Sequence, residues 1–176
     1  MGRQLFQDGP YIDAPVANLT TLTSTAIEDI WAGITWTPIF ANDAKAGKIY
    51  CVRAGGTISL TGGTLIITPQ WGPAGTTLGA SLTQGTTTLT IAAWYLQFDL
   101  VFRVIGAAGA NSTCIGTGFL NIPGGVTGGT GLGQIIPFGG TSASVDSTIN
   151  GNVTIRKTAS TTNSMIPQFV YIFSRN

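Results

Sequence analysis

The chain has 176 residues, of which 9% are charged and 25 are glycine, and its eight basic and seven acidic residues leave a formal charge of +1. At this length one domain with a substantial core is expected, since roughly 70% of the unfolded surface can be buried. The basic residues are scattered and there is no histidine, which disfavours nucleic acid as a partner, most hydrolase designs and any tetrahedral zinc site.

Ordinary soluble domains carry about 25% charged residues. The surface predicted here is therefore neutral, hydroxyl-rich and partly apolar. Few charges remain to guard sheet edges or to hold molecules apart, and cover by a sister copy is the expected remedy.

Residues 1–24 hold Asp8, Gly9, Pro10, Asp13 and Pro15 with little periodicity, and are predicted as an extended N-terminal arm ahead of a single domain at 25–176. They lack the apolar stretch of a secretory signal, and no run of 18 apolar residues occurs anywhere. Synthesis in a host cytoplasm, without a membrane partner, is the expectation. Residues 26–40 contain Trp31, Trp36 and Phe40, interrupted at Pro38; they fit an edge strand or short strand pair, with one helical turn near 26–31 as the alternative.

Alternation becomes clear from Ile49, with Ile49, Cys51 and Arg53 on one side and Tyr50, Val52 and Ala54 on the other. Gly55 and Gly56 predict a break or bulge. Gly62 and Gly63 predict a hairpin turn between 57–60 and 64–71. The Thr-rich stretch 78–91 reads as one or two short strands around Gln84 and Gly85.

The most regular strand is 96–104. Leu96, Phe98, Leu100, Phe102 and Val104 are predicted to face the core, and Gln97, Asp99, Val101 and Arg103 the opposite side. A return strand is expected at 112–122, a flexible glycine-rich loop at 124–131, and further strands at 132–138, 142–145, 149–157 and 165–173. In the last of these, Phe169, Tyr171 and Phe173 alternate with Val170 and Ile172. Eight to ten strands without a long amphipathic helix define the predicted class as an all-β antiparallel β-sandwich, jelly-roll-like in its long connections.

No catalytic constellation emerges from the seven acids, and Glu28 and Asp29 are adjacent, so on a strand they face opposite sides. No enzyme, cofactor, metal site or small-molecule substrate is expected. The glycine-rich loop lacks the Lys-Ser/Thr of a phosphate-binding loop. Cys51 and Cys114 read as buried free thiols, with a disulfide as the alternative.

Asp99 and Arg103 lie four residues apart, roughly 13 Å along a strand, too far to pair with each other. Each is expected to meet a neighbouring strand or a second subunit, which makes both candidate intersubunit contacts. Trp31, Trp36, Trp71, Trp94 and Tyr95 either fill core and interface or form a platform for sugars.

Three stretches carry a family likeness: 40–59, with AGKIYCVRAGGTIS at 46–59; 63–72 (GTLIITPQWG) followed by 77–81 (TLGAS); and 99–104 (DLVFRV), with a weaker continuation at 168–174 (QFVYIFS). Over about residues 25–174 the chain resembles tailed-phage virion proteins of the jelly-roll capsid decoration type, a group with tail and fibre relatives. The resemblance implies a homotrimer on the capsid surface that clamps the major capsid protein and stabilises the shell. It equally allows a tail, baseplate or fibre receptor-binding module recognising host glycans or protein.

Overall fold

A computed structural model describes residues 7–12, 19–30, 32, 39–71, 75–122, 134–161 and 163–175. Most of the predicted arm, Trp31, Trp36 and the glycine-rich stretch 124–131 lie outside these residues. Nine strands occur among the described residues: β1 (Gln7–Ile12), β2 (Glu28–Asp29), β3 (Ile49–Trp71), β4 (Thr76–Thr77), β5 (Leu82–Val104), β6 (Ser112–Ile122), β7 (Gln134–Val145), β8 (Val153–Ala159) and β9 (Asn163–Arg175). Every pairing is antiparallel, and no helix is present among the described residues. The chain is all-β, a single sheet curled over its own core.

The curl comes from two strands of 23 residues, β3 and β5, which pair along nearly their whole lengths. The first half of β3 pairs with β9, from Ile49 opposite Arg175 to Leu60 opposite Asn163. Its second half changes partner and pairs with β8, from Leu65 opposite Ala159 to Trp71 opposite Val153. One layer is thus β1-β9-β3-β5-β6-β7, and the other is formed by β2, β8, the far halves of β3 and β5, and β4.

An extended strand would hold positions 50 and 71 roughly 70 Å apart. The Tyr50 and Trp71 rings instead have centroids 6.3 Å apart, and both meet Phe102 edge-on at 5.9 and 5.3 Å. Strand β3 therefore folds back on itself through side-chain packing rather than through hydrogen bonds.

The bend falls where Gly62 and Gly63 take φ of 94° and 93°, a region closed to most residues with a Cβ. Three residues before Gly62, β5 carries an extra residue opposite Ser59, with Ile91 at φ 49° and its amide donating to Ser59 Oγ at 3.1 Å. Strands that cross between layers at a bulge or bend are the usual corner of a curled sandwich. The predicted hairpin is corrected here: Gly62–Gly63 turns the chain between layers, because both flanks pair with β5 rather than with each other.

Elsewhere separate predicted strands merge or shift: 132–138 and 142–145 fall in one strand, β7, the Thr-rich stretch runs on into 96–104 as β5, and the predicted 149–157 begins only at Val153. Strand β6 coincides with the predicted 112–122, and Leu96, Phe98, Leu100 and Phe102 are fully buried as their alternation required. Val104 departs, being exposed. The register with β6 slips between Phe102 and Val104, so Arg103 is an inserted residue and Val104 is turned out of the core. The Gly55–Gly56 irregularity is present as a register shift against β9, with Gln168 as the extra residue.

Candidate functional site

Alternation places every second side chain of β9, β3, β5 and β6 on the convex side of the first layer, away from Tyr50 and Phe102. Across the ladder Phe169, Gly55, Tyr95 and Asn121 form one row, and Tyr171, Arg53, Gln97 and Phe119 the next. Five rings run together over this face. Centroid separations are 6.2 Å for Phe119–Tyr95, 6.3 Å for Tyr95–Phe169, 6.0 Å for Phe169–Tyr171 and 6.0 Å for Tyr171–Phe173. All five are only partly buried, so their faces remain open to contact.

Gly55 makes this row possible. A Cβ there would stand 2.6 Å from two carbons of the Phe169 ring, which lies across the glycine to reach Tyr95 on the next strand but one. The absence of a side chain in β3 lets rings from its two neighbours meet over its backbone.

Charge sits at one end of the row. Arg53 donates to Asp99 Oδ1 at 2.9 Å and to the Val52 carbonyl at 2.8 Å, and its guanidinium lies 5.9 Å from the Phe173 ring centre. Arg175 approaches Asp99 Oδ2 at 3.8 Å. Asp99 thus finds its cations on β3 and β9 within the same chain, while Arg103 is exposed and forms no ion pair among the described residues. The fold separates these two predicted contact residues into a paired member and a projecting one.

Cys51 is buried beneath this face, opposite Asp99 in the ladder, whereas Cys114 pairs with Phe102 and faces the core. The two thiols are free and lie on opposite sides of the sheet. Burial pushes both up, Cys114 to about 12, and the Asp99 carboxylate adds to the effect at Cys51. Burial likewise raises Tyr95, against a smaller opposing effect from Arg53.

The two described tryptophans, Trp71 and Trp94, do not form a platform. Trp71 and Trp94 are buried, and their indole nitrogens donate to the carbonyls of Asp146 and Thr57 at 3.2 Å each. Of the described aromatic candidates for sugar stacking, only Tyr95 reaches the outer face.

Three polar clusters hold the framework. Lys48 Nζ bridges both oxygens of Asp43 at 2.9 and 2.8 Å, and the Tyr50 hydroxyl donates to Asp43 Oδ2 at 3.0 Å. Asp146 accepts from the Thr148 amide and hydroxyl and the Gly109 amide, tying two loops together. These bonds, led by the Thr148 hydroxyl, hold its carboxyl below the usual range. Lys157, Glu28 and Asn163 form the third cluster, taken up below. No group of three or more His, Cys, Asp or Glu arranged for a metal occurs among the described residues.

Comparisons with protein-family models, with curated proteins and with solved structures found no match.

Proposed function

We propose that the chain is a structural subunit that works by docking, and specifically a jelly-roll-type capsid decoration protein of a tailed phage that assembles with its own copies, as a trimer, over the major capsid protein. The observation that carries this reading is the outer row of Phe119, Tyr95, Phe169, Tyr171 and Phe173, an aromatic surface on rigid paired strands. Aromatic residues flanked by an arginine are characteristic of interface cores, where they supply large contact area at low entropy cost. The low charge of the whole chain supports the same reading.

A second reading rests on the same rings. Stacked aromatics beside Arg53, Asp99 and Gln97 also suit a sugar, as in a tail or fibre module that recognises host glycans. The two separate by experiment. Light scattering on the purified chain at micromolar concentration should give a trimer, and labelled antibody on purified virions should mark the head surface. A monomer, or label confined to the tail tip, overturns the decoration reading.

A further inference from the structure

Lys157 on β8 is fully buried, yet it is an amine with three donors. All three find acceptors: the Ser24 carbonyl at 2.9 Å, Glu28 Oε2 at 2.7 Å and Asn163 Oδ1 at 2.6 Å. The Asn163 amide is itself held in place, its Nδ2 donating to the carbonyls of Thr161 at 3.0 Å and Ser24 at 3.3 Å. Glu28 is anchored by the Ser24 amide at 3.0 Å and keeps 23% of its side chain exposed.

A buried charge costs several kcal/mol in desolvation unless it is well paired. Attack by the amine requires one proton to leave the nitrogen, and Glu28 Oε2 at 2.7 Å is the carboxylate placed to take it. What the lone pair then faces is a carboxamide. With a C=O bond of about 1.23 Å, a nitrogen hydrogen-bonded to Oδ1 at 2.6 Å stands roughly 3 to 3.7 Å from Cγ, close to the distance of a near-attack arrangement. A clamp needs only acceptors around the lysine. A nucleophile, an electrophilic amide and a proton carrier locked together in a water-poor setting satisfy the requirements of amide exchange.

We infer that Lys157 and Asn163 are joined by a self-formed amide cross-link between their side chains, with Glu28 as the proton carrier. The Lys157 ammonium gives a proton to the Glu28 carboxylate. The freed lone pair forms the Nζ–Cγ bond, placing negative charge on Oδ1. The tetrahedral centre collapses with rupture of Cγ–Nδ2. The leaving nitrogen, which carries two hydrogens, takes the Glu28 proton and one of the two still on Nζ and departs through the open side of Glu28 as ammonium, leaving one hydrogen on the new amide and the carboxylate regenerated. No oxidant, metal or cofactor enters the balance. The product is a second covalent tie between β8 and β9, at the turn that lies against the corner of β3.

The test is the mass of the intact, denatured full-length protein after incubation of the folded chain at neutral pH, followed by tryptic mapping. The expected mass is lower than that of the sequence by one ammonia, and trypsin should fail to cut after Lys157. Glu28→Gln and Lys157→Arg, each checked for native circular dichroism, should retain the full mass. A folded wild-type chain at full mass overturns the inference. So does an ammonia loss that leaves Lys157 cleavable, because that is ring closure of an asparagine on its own backbone. Cross-linking of Glu28→Gln at the wild-type rate would overturn the role of Glu28.

Discussion

The Phe169 ring lies across Gly55, close enough that a Cβ on that residue would meet two ring carbons at 2.6 Å and the Trp94 carbonyl at 3.0 Å. A side chain at 55 must lift the ring away from Tyr95. Gly55→Val should destabilise the domain by about 1–3 kcal/mol through overpacking. It should also weaken the near-ultraviolet dichroism of the outer rings. Thermal melting and near-ultraviolet spectra check both effects.

The corner of β3 makes a separate demand. Gly63 combines φ of 93° with a would-be Cβ 2.6 Å from Ser160 Oγ and Thr161 Cγ2. Gly63→Val should cost on the order of 2 kcal/mol or more, from left-handed backbone strain and from displacing the β8–β9 turn. Chemical denaturation would show a lower midpoint, and the turn contacts that Thr161 makes with the Gly62 carbonyl and Ser160 with Thr64 would be lost together.

Replacing Tyr171 and Phe173 together by serine tests the docking surface of the proposed trimer. Both side chains are partly exposed on β9, so the fold should tolerate the change while the assembly does not. If about 2 kcal/mol of interface energy resides in each ring, as interface anchors commonly show, association weakens by roughly three orders of magnitude. Light scattering across a concentration series should then give a monomer with an unchanged far-ultraviolet spectrum.

Asp146 predicts the direction of acid sensitivity. Its folded-state affinity for protons is lowered by the Thr148 and Gly109 bonds, against 3.8 for the unfolded group. Its contribution to stability is therefore complete above pH 3.8 and is lost as pH falls through the lower folded-state value. Asp146→Asn should be less stable than wild type at neutral pH, and the difference should shrink in strong acid. Denaturation midpoints from pH 7 to pH 2 give the comparison.

The thiols behave in the opposite sense. Cys114, pushed up to about 12 against 9.0 unfolded, favours the fold below pH 9 and progressively less as pH rises toward 12. Since the thiolate is the nucleophile, an aromatic disulfide reagent at pH 8 should leave Cys51 and Cys114 unreacted in the native chain and modify both in denaturant. Oxidation should produce no internal disulfide, because the sheet stands between them.

Much of the sheet was legible because period-two alternation is local. Leu96 to Phe102 announces its buried face residue by residue, and the turn before Ser112 is marked by glycine and asparagine. The corner was not legible: two adjacent glycines signal a reversal equally for a hairpin and for a bend between layers, and only the partner strand decides. Val104 was misplaced because a single inserted residue, Arg103, reverses the alternation, and nothing in the sequence reports the insertion.

The candidate site divides in the same way. The alternation of Phe169, Tyr171 and Phe173 was visible, but their meeting with Tyr95 and Phe119 depends on register between distant strands. Trp71 and Trp94 drew notice as large aromatic rings, yet each has its indole nitrogen bonded within the fold. Lys157, Glu28 and Asn163 gave no signal, since the carboxylate lies 129 positions from the amine.

Because β3 and β5 each thread both layers, the halves of the molecule share their two central strands and have no separable hydrophobic centre. Peeling either half away strips the other of its middle. Unfolding is therefore expected to be all-or-none, with both layers lost in a single transition.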